Sequence, residues 1–258
     1  MVDINAAKAL FDAVPNGAKV VLVGDRSQLL PVEAGQVFRD LIASGKIHII
    51  VLNKIYRTES KTIISNSNRV LEGKNTFISD LSFEIILKDN TSQVIAAAQE
   101  LAHSLYGSYD RLGVQVLTHS KNDTDIINQH IKSKAFIKKS FISLRGYKKY
   151  YVGEKIIFTK NDVDNRYVNG QVGIITAVDD SNKAIEISTN NGITTLSLGY
   201  KDLKNIDSAY AITIHKSQWS EYEQAVIALT DDADTLLCRE LLYTAITRAS
   251  KKSDYYCH

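Results

Sequence analysis

Cysteine is scarce in this sequence. Cys238 and Cys257 are the only two, so no disulfide framework staples the chain, which suits a reducing cytoplasm better than an exported scaffold. Long apolar runs are missing as well: the longest, Val20–Val23 and Ile47–Leu52, are strand-sized and predict neither a transmembrane helix nor a membrane partner. The opening Met1-Val2-Asp3-Ile4-Asn5 has neither the basic nor the apolar segment of a secretory signal. There is no internal repeat and no low-complexity stretch. Nor does one sign of charge dominate. Lysine plus arginine is 31 against 29 for aspartate plus glutamate, a net charge of +2, so global charge does not announce a nucleic-acid binder. What is present is ordinary for a globular protein: 258 residues, 44% hydrophobic and 23% charged, enough for one large domain or two smaller ones.

The hydrophobic pattern alternates between helix and strand. Asp3 or Asn5 can cap a helix through Phe11 and Ala13, ended by Pro15-Asn16-Gly17. Ala18–Val23 and Ile47–Leu52 are continuous, largely β-branched runs, the signature of parallel strands buried on both faces. Residues 36–44 and 60–72 read as helices, the second ending near Gly73. Strand, helix, strand, helix follow at 83–87, 92–106, 114–117 and 123–131. From Tyr151 the period changes to short strands at 154–159, 171–178, 184–188 and 194–198. Asn169-Gly170, Asp179–Asn182 and Asn190-Asn191-Gly192 mark turns beside them. Helix and strand alternation returns after Ala209. The whole predicts an α/β protein with a small β-barrel inserted into its second half.

Local charge is less even than global charge. From 132 to 155 the basic residues Lys132, Lys134, Lys138, Lys139, Arg145, Lys148, Lys149 and Lys155 face one acid, Glu154. Phe136, Phe141, Tyr147, Tyr150 and Tyr151 interleave with them. The pattern suits a phosphate backbone with stacked bases, although a solvated lysine-rich surface is the commoner source of such a run.

Three segments concentrate polar chemistry. Gly24-Asp25-Arg26-Ser27-Gln28-Leu29-Leu30-Pro31 follows the first apolar run, at the carboxyl edge where open α/β sheets bind ligands. A glycine there permits close backbone approach, while Asp25 and Gln28 can reach metal-bound phosphates or an attacking water. Thr213 to Glu221 packs a hydroxyl, an imidazole, an ammonium, an amide and a carboxylate into nine residues, more than a core tolerates without partners. On a helix, Leu241, Thr244, Ala245 and Arg248 share one face. An arginine beside an apolar face snorkels to water or reaches a buried anion, and its permanent planar charge is what phosphoryl transfer uses.

These segments resemble the later conserved motifs of superfamily 1 DNA helicases of the RecD-like branch, and the likeness covers nearly the whole chain. The resemblance implies a RecA-like P-loop NTPase helicase core with ATP between two RecA-like domains. The first, incomplete, would be 1–80; the second 81–149 and 206–258; an SH3-like barrel, on the likeness of Gly153-Glu154-Lys155 and Asn169 to Gly173, would be inserted at 150–205. It makes Gln28 the γ-phosphate sensor, Arg57 of Leu52–Arg57 and Arg248 of Tyr243–Arg248 the γ-phosphate arginines, and Gly24, Asp25 and Glu221 further nucleotide contacts. Thr118, at the end of Val116-Leu117-Thr118, would contact the DNA strand, together with Thr213, His215, Lys216, Ser217 and Trp219. Trp219 stands where the family usually has glycine, and would either crowd the strand or offer it a stacking face.

The same resemblance implies ATP and Mg2+ as cofactors of the full-length protein and single-stranded DNA and single/double-strand junctions as partners, with other subunits of a helicase–nuclease complex as a further option. Its P-loop and its metal-binding carboxylates have no counterpart here. Gly45-Lys46 and Gly73-Lys74 are followed by Ile47 and Asn75 rather than by Ser or Thr. The expectation is therefore a C-terminal helicase fragment that begins just after the acidic motif, stops midway through a last strand and does not hydrolyse ATP alone. A non-catalytic single-stranded DNA-binding module, a decayed helicase paralogue, or a barrel that docks peptide are the alternatives. No metal ligand set is expected.

Overall fold

The computed structural model describes residues 2–31, 33–52, 58–108, 112–135, 140–144, 148–164, 166–189, 195–199, 201–230 and 238–257. The chain opens with helix α1 (Ile4–Ala13), whose first turn is capped by the Asp3 carboxylate accepting from the Ala6 amide at 2.7 Å. Helices α2 (Val37–Ala43) and α3 (Lys61–Leu71) follow. Ser60 caps α3 by accepting from the Ile63 amide. Gly73, with φ +72°, ends it in a left-handed turn in which the Lys74 amide reaches back to the Arg69 carbonyl.

A parallel sheet of five strands forms the centre: β1 (Phe83–Leu87), β2 (Val114–Thr118), β10 (Ala211–Thr213), β11 (Tyr222–Leu229) and β12 (Ala249–Cys257), in the order β1-β12-β11-β2-β10. Helices α4 (Thr91–Ser108) and α5 (Lys121–Ala135) cover one face, α3 and α6 (Arg239–Ile246) the other. The pleat assigns the faces. Val114, Val116, Val226 and Ala228 pack among α4 and α5, while Leu117, Ala225, Ile227 and Leu229 pack among α3 and α6. Strand β12, of which the sequence suggested only a first half, is in register with β1 and β11 through Cys257.

Between α5 and β10 the chain leaves this sheet. A hairpin of β3 (Phe141–Leu144) and β4 (Lys148–Tyr151) precedes β5 (Lys155–Phe158), β6 (Val172–Asp179), β7 (Ala184–Thr189), β8 (Thr195–Leu198) and β9 (Ile206–Ser208). The last five form an antiparallel sheet in the order β8-β7-β6-β5-β9. Its own core contains Ile156, Phe158, Ile175, Ile187 and Leu203, with the Phe158 and Tyr167 rings stacked at 4.1 Å. The turn expected at Asn190-Asn191-Gly192 lies outside the described residues.

Two expectations are corrected. Ala18–Val23 and Ile47–Leu52 join no strand ladder, and they are open to solvent rather than buried on both faces: Val21 is 75%, Val23 79% and Leu52 85% exposed. A β-branched run is a strand only where flanking strands supply its hydrogen bonds, and no described neighbour does so here. The basic run at 132–155 is also not one solvated surface. Lys155 is fully buried, donates to the Val114 carbonyl at 2.7 Å and lies over the Tyr106 and Tyr222 rings. Lys132 bonds the buried Glu154 at 2.7 Å, and Lys148 bonds Asp207 at 2.6 Å. Lys132 and Lys155 fasten the root of the antiparallel sheet to α5 and β2 of the parallel layer, and Lys148 ties the β3–β4 hairpin to β9. Lys138, Lys139, Arg145, Phe136 and Tyr147 lie outside the described residues.

Candidate functional site

The Gly24–Pro31 loop is shaped by its own side chains. Asp25 accepts from the Ser27 amide at 2.9 Å and from Gln28 Nε2 at 3.1 Å, which draws Gln28 back over the turn. Gly24 has a local reason to be glycine: a Cβ there would meet the Phe38 ring at 3.0 Å. Arg39 braces the loop from α2 by donating to the carbonyls of Arg26 and Gln28.

The loop docks on two segments far away in sequence. The Leu29 amide donates to Thr244 Oγ1 at 3.0 Å, and Gln218 Nε2 donates to the Leu29 carbonyl at 3.2 Å. Tyr243 donates to Asp25 Oδ2 at 3.2 Å. The fold thus brings all three polar segments together, at a seam formed by α6, the 213–221 turn and the Gly24–Pro31 loop. Gln218, Tyr243 and Thr244 make that seam, and residue-by-residue reading assigned them no role.

Thr213 and His215 stand at the carboxyl end of β10, beside Thr118 at the end of β2. Lys216 and Trp219 are exposed, Trp219 to 78%. Trp219 has φ +70°, a left-handed conformation strained for a bulky side chain. The turn beneath it is rigid, because the Ser217 amide bonds the carbonyls of Thr213 and Ile214. Partial burial of His215 favours its neutral imidazole and lowers its pKa.

Two of the expected strand contacts are turned inward. Thr118 is fully buried, its hydroxyl 2.7 Å from that of Thr124 and donating to the Ser120 carbonyl, where it fixes the start of α5. Ser217 is fully buried and donates to the Ile214 carbonyl at 2.7 Å. Both hydroxyls complete local backbone bonding at this edge. Arg248 is likewise sealed. It donates to the carbonyls of Thr244 and Ser220 at 3.0 Å each and to Thr247 Oγ1 at 3.2 Å. It therefore ties α6 to the residue preceding Glu221. Burial pushes the neighbouring Tyr222 phenol up to about 12. Glu221 itself is exposed, on a cleft of about 530 Å³ shared with Gly113, Ser250 and Lys251. Arg57 lies outside the described residues. Among the described residues no group of three His, Cys, Asp or Glu could hold a metal ion, and no helix is long and apolar enough to cross a membrane.

Comparison with known proteins places this arrangement. Residues 1–100 match the model of an AAA domain, and residues 208–253 that of a UvrD-like helicase C-terminal domain. The RecBCD enzyme subunit RecD of Mycobacterium tuberculosis (strain CDC 1551 / Oshkosh) is 27% identical over 98% of this chain and 47% of its own length. The ATP-dependent RecD2 DNA helicase of Deinococcus radiodurans is 29% identical over 93% of this chain and 33% of its own length. The chain thus spans about half, or less, of these curated relatives. Among solved structures, Bacteroides Pif1 bound to ssDNA superposes with a TM-score of 0.58 at 19% identity, covering 98% of this chain and 66% of that one. Bacteroides Pif1 helicase in complex with ADP-AlF3 and ssDNA gives 0.57 at 20% identity, covering 90% and 60%. The α/β fold with its parallel sheet is that of these Pif1 structures.

Proposed function

We propose, for a chain that is a homologue of the RecD-type helicases, that it is the part of an ATP-dependent DNA helicase that senses the γ-phosphate and holds single-stranded DNA. One observation carries the reading. Leu29, next to Gln28, is bonded on one side to α6 and on the other to the turn that presents His215 and Trp219. A displacement of Gln28 on phosphate loss then reaches the strand-facing turn through the Gln218–Leu29 hydrogen bond, and α6 through the Leu29–Thr244 one.

In this reading Gly24, Asp25, Gln28, Arg57, Glu221 and Arg248 form the nucleotide edge. Phosphoryl transfer is accelerated by charge and hydrogen-bond donors positioned around the γ-phosphate, the part given to the amide of Gln28 and the guanidinium groups of Arg57 and Arg248. Arg248, sealed as it is, acts from within the seam and holds Glu221 and α6 in place. Thr213, His215, Lys216 and Trp219 touch the strand, with Thr118 and Ser217 shaping the edge beneath. Residues 1–80 belong to a first RecA-like unit, 81–149 and 206–258 to a second, and 150–205 to an SH3-like insertion. The sequence has no Gly-x-x-x-x-Gly-Lys-[Ser/Thr], so turnover requires a phosphate cradle from elsewhere. The described residues include no carboxylate cluster for Mg2+. Strand or junction DNA is the partner, in the cytoplasm, with RecBCD-like subunits beside it as an extension of the same proposal.

A second reading, DNA binding without turnover, is favoured by the burial of Arg248. ATP turnover by this chain, with and without single-stranded DNA, beside a version extended upstream through a P-loop, separates the two. DNA-stimulated turnover by the extended version alone supports the helicase. An inert extended version that still binds DNA supports the binding module.

A further inference from the structure

Arg26, Arg39 and Arg239 converge on one open cleft of about 380 Å³, floored by Ile42 and Leu71. Glu240 neutralises only one of them, through its 3.1 Å pair with Arg39. Arg26 and Arg239 make no hydrogen bond or ion pair among the described residues through their guanidinium groups. Both are exposed. The guanidinium of Arg239 is not loose, however. It rests on Gly73, where an added Cβ would sit 2.7 Å from Nη2. Among the described residues the cleft therefore holds two unmatched, permanently ionised planar donors, contributed by two separate segments. That is the chemistry of oxyanion recognition.

The topology says which oxyanion. Strand β11 ends at Leu229, and α6 runs from Arg239 back to Ile246, just before the start of β12 at Ala249. The Arg239 end of α6 therefore lies toward the carboxyl edge of the sheet, the edge to which β10 delivers Thr213.

We propose that this cleft binds a phosphodiester group of the single strand, at a position separate from the Thr213–Trp219 turn. The inference rests on the DNA-holding reading above and extends it by one phosphate contact. Such a contact releases counterions, so it is read in the salt dependence of binding rather than in affinity alone.

The test is fluorescence anisotropy of a labelled oligothymidylate with the whole chain, titrated between about 50 and 200 mM salt. For Arg26→Ala/Arg239→Ala the slope of log K against log salt becomes shallower by about 0.7 for each phosphate that is no longer neutralised. Arg239→Lys, which keeps the charge, retains more of the slope than Arg239→Ala. Trp219→Ala lowers affinity and leaves the slope unchanged, because stacking releases no counterions. An unchanged slope in the double variant, with oligonucleotide binding intact, overturns the cleft assignment and leaves the DNA reading standing. Thermal stabilisation by inorganic phosphate that the double variant loses, with that slope unchanged, reassigns the cleft to free phosphate and also overturns it. A wild-type chain that binds no oligonucleotide removes the DNA reading, and the inference with it.

Discussion

Trp219 shows how a single residue can be held against its own preference. The left-handed conformation costs a non-glycine residue about 1–2 kcal/mol, and exposing a large aromatic ring gains no burial to offset it. Trp219→Gly is expected to stabilise the chain by about 1 kcal/mol in urea unfolding, since glycine is at ease at positive φ. The same change is expected to weaken single-stranded DNA binding by about 1–3 kcal/mol if the ring stacks on one base. Trp219→Ala, still strained, loses the binding without the gain in stability. Arg248 is the opposite case, a charge whose value is internal. Arg248→Ala leaves the Ser220 and Thr244 carbonyls without it and should cost on the order of 3 kcal/mol. A loss under about 0.5 kcal/mol, the range of surface changes, would show that the seam does not depend on it. His215 gives a pH dependence. Burial makes the folded imidazole harder to protonate than the unfolded one, so its contribution to stability is complete above about pH 6.5 and declines as pH falls below it. His215→Gln should flatten the profile of unfolding free energy between about pH 7 and pH 5.

At the scale of elements, the question is what fixes the antiparallel insertion to the parallel sheet. Glu154 is fully buried and accepts from Lys132, from Ser208 Oγ and from the Tyr151 amide. Removing one partner of such a pair strands the other. Lys132→Ala is expected to cost about 3–5 kcal/mol, and Lys132→Met with Glu154→Gln to recover most of it, as measured by denaturant unfolding. No recovery in the double variant would mean that the charges specify the junction by more than their mutual compensation. Within the insertion, Gly173 lies against β7, where a Cβ would meet Ile187 Cγ2 at 2.4 Å and the Ser188 carbonyl at 2.9 Å. Gly173→Ala should destabilise the β6–β7 pairing by about 1–3 kcal/mol, the range of overpacking in a closed core.

Across the whole molecule, the Leu29 stitch links segments that are 189 and 215 residues apart. If it couples nucleotide to strand, Thr244→Val in a version extended through a P-loop should reduce stimulation of ATP turnover by DNA more than basal turnover, while Thr244→Ser keeps it. Equal losses in the two rates would assign Thr244 to packing alone.

The sequence by itself determined what depends on local order. The 3.6-residue period places α3, α4 and α5 within a few residues of their observed ends, and Phe83–Leu87 and Ala184–Thr189 form strands where β-branched runs meet turn signals. The polar segments likewise declared themselves by residue type and spacing. Tertiary structure decided everything that needs a partner from elsewhere. Val20–Val23 and Ile47–Leu52 have strand composition, but a ladder is a property of two chains of backbone and not of one. Lys155 reads as one more basic residue until Val114, Tyr106 and Tyr222 enclose it. That Thr118, Ser217 and Arg248 bond carbonyls of their own neighbourhood is equally invisible until the chain is packed. A side chain's type sets which bonds it can make; only the packed chain sets which of them are already made.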